Sequence, residues 1–170
     1  MPSESGPVDA TDFAAALRQY AAGVALMTVR DGIDDVGTTV TSVMSVSATP
    51  PLVAVGLTAA GYPREVLEEV GRCALTVLPA GRSILASRFS SAGRPSARHL
   101  LEAVPWHRAP ASEAIVLDEG LVALDCRLER VVEAGDHVVA LLEVVGVPVP
   151  AGGGAPLLRF GGRYVDSPLP

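Results

Sequence analysis

Hydroxyl groups crowd one stretch of this 170-residue chain. Within residues 37–57 the side chains of Thr38, Thr39, Thr41, Ser42, Ser45, Ser47 and Thr49 alternate with small apolar residues and lead to the Pro50-Pro51 pair. Such a run sets donors and acceptors beside backbone N–H groups, which suits a phosphate or the polar edge of a heteroaromatic ring. The same residues describe a plain polar hairpin whose hydroxyls cap turns, and residue type alone leaves both readings open. His137, opening an extended run after Gly135-Asp136, is equally two-sided: a turn residue with a local hydrogen bond, or a group facing a ligand. His99 and His107 lack ligand spacing, so no metal centre is expected. Cys73 and Cys126 fall in separate apolar runs and predict buried, reduced thiols.

These groups need a scaffold, and the hydrophobic pattern supplies mostly strands. Residues 1–12 are polar and turn-rich and predict a disordered tail, leaving 13–166 as one domain. Thr11 or Asp12 is expected to cap a helix whose stripe of Phe13, Ala16, Leu17 and Tyr20 must pack on something, with Gly23 ending it. Residues 24–29 and 36–41 read as a hairpin about Asp31-Gly32, and 52–57 and 73–78 as short buried strands. Between and after them, Pro63 opens one helix and 83–89 forms another, whereas 90–112 shows no periodicity and predicts a long loop.

The second half alternates more cleanly. In 121–132 the residues Val122, Leu124, Cys126 and Leu128 share one face, with Asp125, Arg127 and Glu129 on the other; 137–147 returns, and a glycine-rich connector at 148–156 leads to a last pair, 157–160 and 163–165. About seven strands with short inserted helices predict a mainly β barrel. Neither a G-x-G-x-x-G turn after a strand nor a P-loop occurs, so a nucleotide site here is built another way. A net charge of −6 with scattered basic residues argues against nucleic acid, and no apolar run is long enough to span a bilayer, so no membrane partner and a cytoplasmic location are expected.

Seven segments, quoted as they stand, carry a resemblance: FAAALRQYAAGVALMTV, GTTVTSVMSVSATPPLVAVGL, GRCALTVL, SRFS, Pro105-Trp106, LDCRLERVVEAGDHVVALLEVVGV and PLLRFGGRY. In this order and near these spacings, over residues 13–164, they resemble the flavin reductase-like family of FMN-binding split β-barrels. That resemblance implies a homodimer binding FMN, or FAD, near its interface, with NADH or NADPH stacked over the isoalloxazine. It implies Thr39, Val40, Thr41 and Ser42 along the isoalloxazine edge, and Ser45, Val46 and Ser47 along the ribityl and phosphate region. It further implies Arg88 and Phe89 near the flavin tail, Tyr164 reaching the same pocket, and His137 on the nicotinamide side as the catalytic candidate.

The implied activity is NAD(P)H-dependent flavin reduction that supplies a flavin-dependent monooxygenase. One segment departs from the pattern, because Gly61, Tyr62 and Pro63 stand where the family usually carries Ser-Ser-Thr. Arg64 and the free N–H groups of the following helix are the expected substitutes at the phosphate. The departure keeps two alternatives open: a flavoenzyme that retains FMN and acts on an organic substrate, and a non-catalytic flavin- or haem-binding split barrel.

Overall fold

The computed structural model describes residues 6–148 and 153–167. In chain order it contains helix α1 (Ala10–Leu17), strands β1 (Ala22–Gly23), β2 (Ala25–Asp31), β3 (Asp34–Val40), β4 (Val43–Ala48) and β5 (Pro51–Thr58), helix α2 (Tyr62–Val70) and β6 (Arg72–Val77). There follow α3 (Ser83–Ser90), α4 (Ala97–Leu100), β7 (Trp106–Arg108), β8 (Ile115–Leu117), β9 (Val122–Ala134), β10 (His137–Gly146), β11 (Leu157–Phe160) and β12 (Arg163–Asp166).

Seven strands make one antiparallel sheet in the order β3-β2-β6-β9-β10-β5-β4. Its edge strands β3 and β4 are consecutive in the chain, joined only through Thr41 and Ser42. Laid flat, the edges of such a sheet would stand about 29 Å apart at ~4.8 Å per strand, whereas the three Cα steps from Val40 to Val43 reach at most ~11 Å. The sheet must therefore curl until the joined ends of its edge strands come together, giving a barrel left open between β3 and β4. At the corner, the Gly56 N–H donates to the Ser42 carbonyl at 2.9 Å. A Cβ on Gly56 would lie 2.9 Å from the Ser42 Cβ, so glycine is what lets the corner pass over β5.

Strand β2 explains the unbroken apolar run at 24–29. Ala25, Met27 and Val29 pack inside the barrel with Val55, Leu75 and Leu142. Val24 and Leu26 pack outside it with Leu85, Phe89 and Leu157. Both faces are buried, so alternation disappears. Helix α2 plugs the barrel with Val66 and Leu67, each contributing about 1.5–3 kcal/mol by burial, and ends at Gly71 in the left-handed region (φ 73). Cys73 and Cys126 are both buried and unpaired by a disulfide, facing one another across β6 and β9. Hydrogen bonding to Cys126 and burial push the Cys73 thiol up.

Several expectations change. Helix α1 begins at Ala10, inside the stretch expected to be a tail, because Asp9 rather than Thr11 or Asp12 caps it, its carboxylate accepting the Thr11 N–H at 2.8 Å. It ends at Leu17, not at Gly23, which instead pairs with Leu158 in a small sheet, β1-β11-β12. No residue of α1 is buried; Phe13 is 56% exposed and Leu17 47%.

The segment 90–112 is also not structureless, since it holds α4 and β7, the latter paired to β8. Two buried carboxylates of the barrel fix it. Asp35 receives Arg108 on both oxygens and Arg98 at 2.7 Å; Asp125 accepts the Ala111 and Ser112 N–H groups at 2.7 and 3.0 Å. Asp125 therefore lies under this segment instead of facing solvent with Arg127 and Glu129. Residues 149–152 of the expected connector and 1–5 of the expected tail lie outside the described residues. Among the described residues no helix is long and apolar enough to cross a membrane.

Candidate functional site

A cleft of about 680 Å³ opens on the outer side of β3. Its floor is Gly37, Thr38 and Thr39; one wall is the start of α2, from Gly61 to Arg64; the other is the chain leaving α3, with Arg94 at its centre. Gly37 is needed there, because a Cβ would stand 2.5 Å from the Phe89 ring. Phe89 itself is fully buried behind this floor, and Thr39 pins the same helix by donating its hydroxyl to the Ala86 carbonyl at 2.7 Å.

The two walls carry one arginine each. Arg64 pairs with Glu68 at 2.9 Å, one turn along α2, and reaches Glu133 at 3.7 Å. Arg94 donates from Nε to the Gly37 carbonyl at 2.6 Å and from one terminal nitrogen to the Ser91 carbonyl at 3.0 Å. Among the described residues it has no carboxylate partner. Burial lowers its pKa, yet a guanidinium keeps its charge, so Arg94 is the cleft's uncompensated cation. Residue type alone does not single it out, since it lies in a stretch without periodicity; the Gly93 and Pro95 that flank it are the only sequence hint of a fixed turn.

Tyr62 also lines the cleft, and its hydroxyl donates to Asp31 Oδ2 at 3.1 Å. That bond pushes the phenol above its ordinary value, so the proton stays on oxygen. At the acidic end of the cleft, the Ser96 hydroxyl donates to Asp34, and with the Asp35 N–H holds the Asp34 carboxyl below its usual range.

Of the residues expected at a site, Thr39 and Arg64 meet in this cleft. Val40 is buried, Thr41 half-buried and Ser42 exposed at the corner beyond it. Ser45, Val46 and Ser47 lie on the edge strand β4, outside the cleft; Val46 is a bulge with no partner on β5, and the Ser47 hydroxyl accepts the Thr49 N–H at 3.2 Å. Arg88 is exposed on α3 and does not line the cleft. Tyr164 is half-buried on β12, with the Arg159 guanidinium 4.7 Å over its ring. His137 opens β10 directly opposite Thr58, which does line the cleft, while His137 itself does not. Its Nδ1 lies 2.8 Å from Asp136 Oδ1, a contact that holds the Asp136 carboxyl below its usual range.

The donor set fits a flat, phosphate-bearing ligand: a cation without a counter-charge on one wall and hydroxyls along β3. A family model described as flavin reductase like domain matches residues 17–168. The chain is 34% identical over 154 residues to the NADH-dependent FMN reductase AsuE2 of Streptomyces nodosus subsp. asukaensis, covering 91% of this chain and 83% of the relative. It is 33% identical to the reductase component of a 4-hydroxyphenylacetate 3-monooxygenase from Thermus thermophilus, over 89% of this chain and 93% of that one. Its fold matches the NADH:FAD oxidoreductase SgcE6 of Streptomyces globisporus C-1027, solved in complex with NAD and FAD fragments, with a TM-score of 0.81 at 28% identity over 95% of this chain and 96% of that one.

Proposed function

This chain belongs to the flavin reductase-like domain family, and from that membership we propose that it uses NAD(P)H to reduce FMN or FAD by hydride transfer to flavin N5. The observation that carries the reading onto this chain's own residues is Arg94, a cation in the cleft that only carbonyl oxygens engage. It would hold the flavin phosphate, while Gly37 makes room for Phe89 and Thr39 bonds Ala86, so that α3 packs closely behind β3. The flavin and the nicotinamide, when bound, supply the acceptor and donor of the hydride; the protein's task is to align them. His137, paired opposite Thr58, is the group we assign to the nicotinamide side, with Asp136 fixing the ring through Nδ1.

We further propose a homodimer. Exposed Phe13, Leu17 and Tyr20 near the N-terminus and Val43, Met44 and Val46 on β4 support it, as does the position of Ser45, Val46 and Ser47 outside the cleft of a single chain. Pairing across β4 would bring those serines into a shared flavin site. The reduced flavin passes to a partner monooxygenase, the arrangement named for relatives of this family. A cytoplasmic location fits the two free, buried cysteines.

The test is NADH and NADPH oxidation by purified protein with and without added FMN or FAD. Oxidation that depends on added flavin, from a species of dimeric mass by light scattering, is the expected result. Nicotinamide left unoxidised by protein that retains bound flavin would overturn the reductase reading and favour a carrier or an enzyme of another substrate. A monomer with full flavin affinity would remove the shared site.

A further inference from the structure

Tyr62 is the only aromatic side chain lining the cleft among the described residues. Tyr62 is 58% exposed, yet its tip is fixed by the hydrogen bond to Asp31 at the end of β2. A ring immobilised before a ligand arrives loses little further entropy when something stacks on it. The charges around it are arranged by sign. Arg94 supplies the cation on one wall; Asp34, which lines the cleft, and Asp31, which accepts from the Tyr62 hydroxyl, place negative charge where Tyr62 stands. Phosphates are drawn to the first and repelled by the second; a flat base bearing an amino donor suits the second.

FMN ends at its phosphate. FAD continues through a second phosphate to an adenine, and NAD(P)H carries the same adenylate. We propose that Tyr62 is a specificity-determining residue of the cleft: a stacking platform for the adenine of an adenylate-bearing ligand whose phosphates meet Arg94. The proposal rests on the cleft being the flavin site. It gives Gly61-Tyr62-Pro63 a role of its own, because Tyr62 extends the cleft beyond the phosphate instead of contacting it.

Flavin fluorescence titrations of Tyr62→Ser and Tyr62→Phe, with FMN and with FAD, test it. Base–aromatic stacking predicts that Tyr62→Ser lowers the FAD-to-FMN affinity ratio about 5- to 100-fold, and that Tyr62→Phe, which keeps the ring, recovers most of it. If the adenylate comes from the nicotinamide substrate instead, the ratio stays put and the KM for NADH at saturating FMN rises by a similar factor in Tyr62→Ser only. Equal changes for FMN and FAD, no change in ratio or KM, or a Phe variant that behaves as the Ser variant would each overturn the proposal. Arg94→Gln, titrated alongside, separates the two levels: unchanged FMN and FAD affinity there would refute the cleft as the flavin site, independently of Tyr62.

Discussion

The two walls of the cleft hold the same kind of residue in opposite states. On the α2 wall Arg64 is already matched by Glu68 and Glu133, both contributed by regular elements. On the loop wall Arg94 is held only by backbone carbonyls, and the segment bearing it is in turn fastened by the salt bridges to Asp35. A cation neutralised within its own helix has little left to offer an anion, whereas one oriented by carbonyls keeps its full field. In the proposed site, anion affinity therefore falls to the less regular wall, and the regular wall contributes shape.

Removing the fastening should disturb that contrast most. Asp35 is fully buried and serves Arg98 and Arg108 together, so Asp35→Asn should lower stability by about 2–4 kcal/mol. Urea unfolding followed by Trp106, the only tryptophan and a residue of β7 within the fastened segment, reports it. A loss below about 0.5 kcal/mol, the range of ordinary surface changes, would mean that the segment holds itself.

The next effect separates the walls directly. Arg94→Gln should weaken FMN binding about 10- to 100-fold, as loss of a charge-assisted contact does, while Arg64→Gln should weaken it less than about 3-fold. Equal losses would erase the distinction, and the reverse order would assign the phosphate to α2.

The smallest effect concerns acid. Ser96 and the Asp35 N–H hold the Asp34 carboxyl below the ordinary value of 3.8, so this link adds stability above that pH and loses it as pH falls through the lower folded value. Native-state hydrogen exchange should show the loop wall loosening ahead of the α2 wall below about pH 4, and Ser96→Ala should narrow that gap. Loosening of both walls together would place the acid-sensitive link elsewhere.

Much of this was legible in the residues. Strands β2, β3, β5, β6, β9 and β10 follow from period-two or continuous apolar runs, and α2 from Pro63 and Gly71, because local patterns record which face is buried. Thr39 and Arg64 reach the cleft as their types suggest. Arg94 and the order within 90–112 were not legible, since both depend on single contacts across about 60 residues or more: Arg94 to Gly37, and Arg98 and Arg108 to Asp35. Asp125, expected on the solvent side, is covered instead by a nearer segment, Ala111 and Ser112. Alternation gives the face of a strand, not which other part of the chain lies on it.

The bulge at Val46 bears on how copies of this chain meet in solution. Strand β3 ends the sheet beneath α3 and α4, but β4 ends it bare, with Val43, Met44 and Val46 exposed. A straight edge of that kind would accept any extended chain and grow into a fibre. With Val46 squeezed out of register between Ser45 and Ser47, the row of donors and acceptors is broken and the strand twists locally. A partner that relies on backbone pairing alone finds a short, interrupted ladder, whereas one shaped to the apolar side chains still finds its surface, so the bulge favours an association that closes over one that propagates.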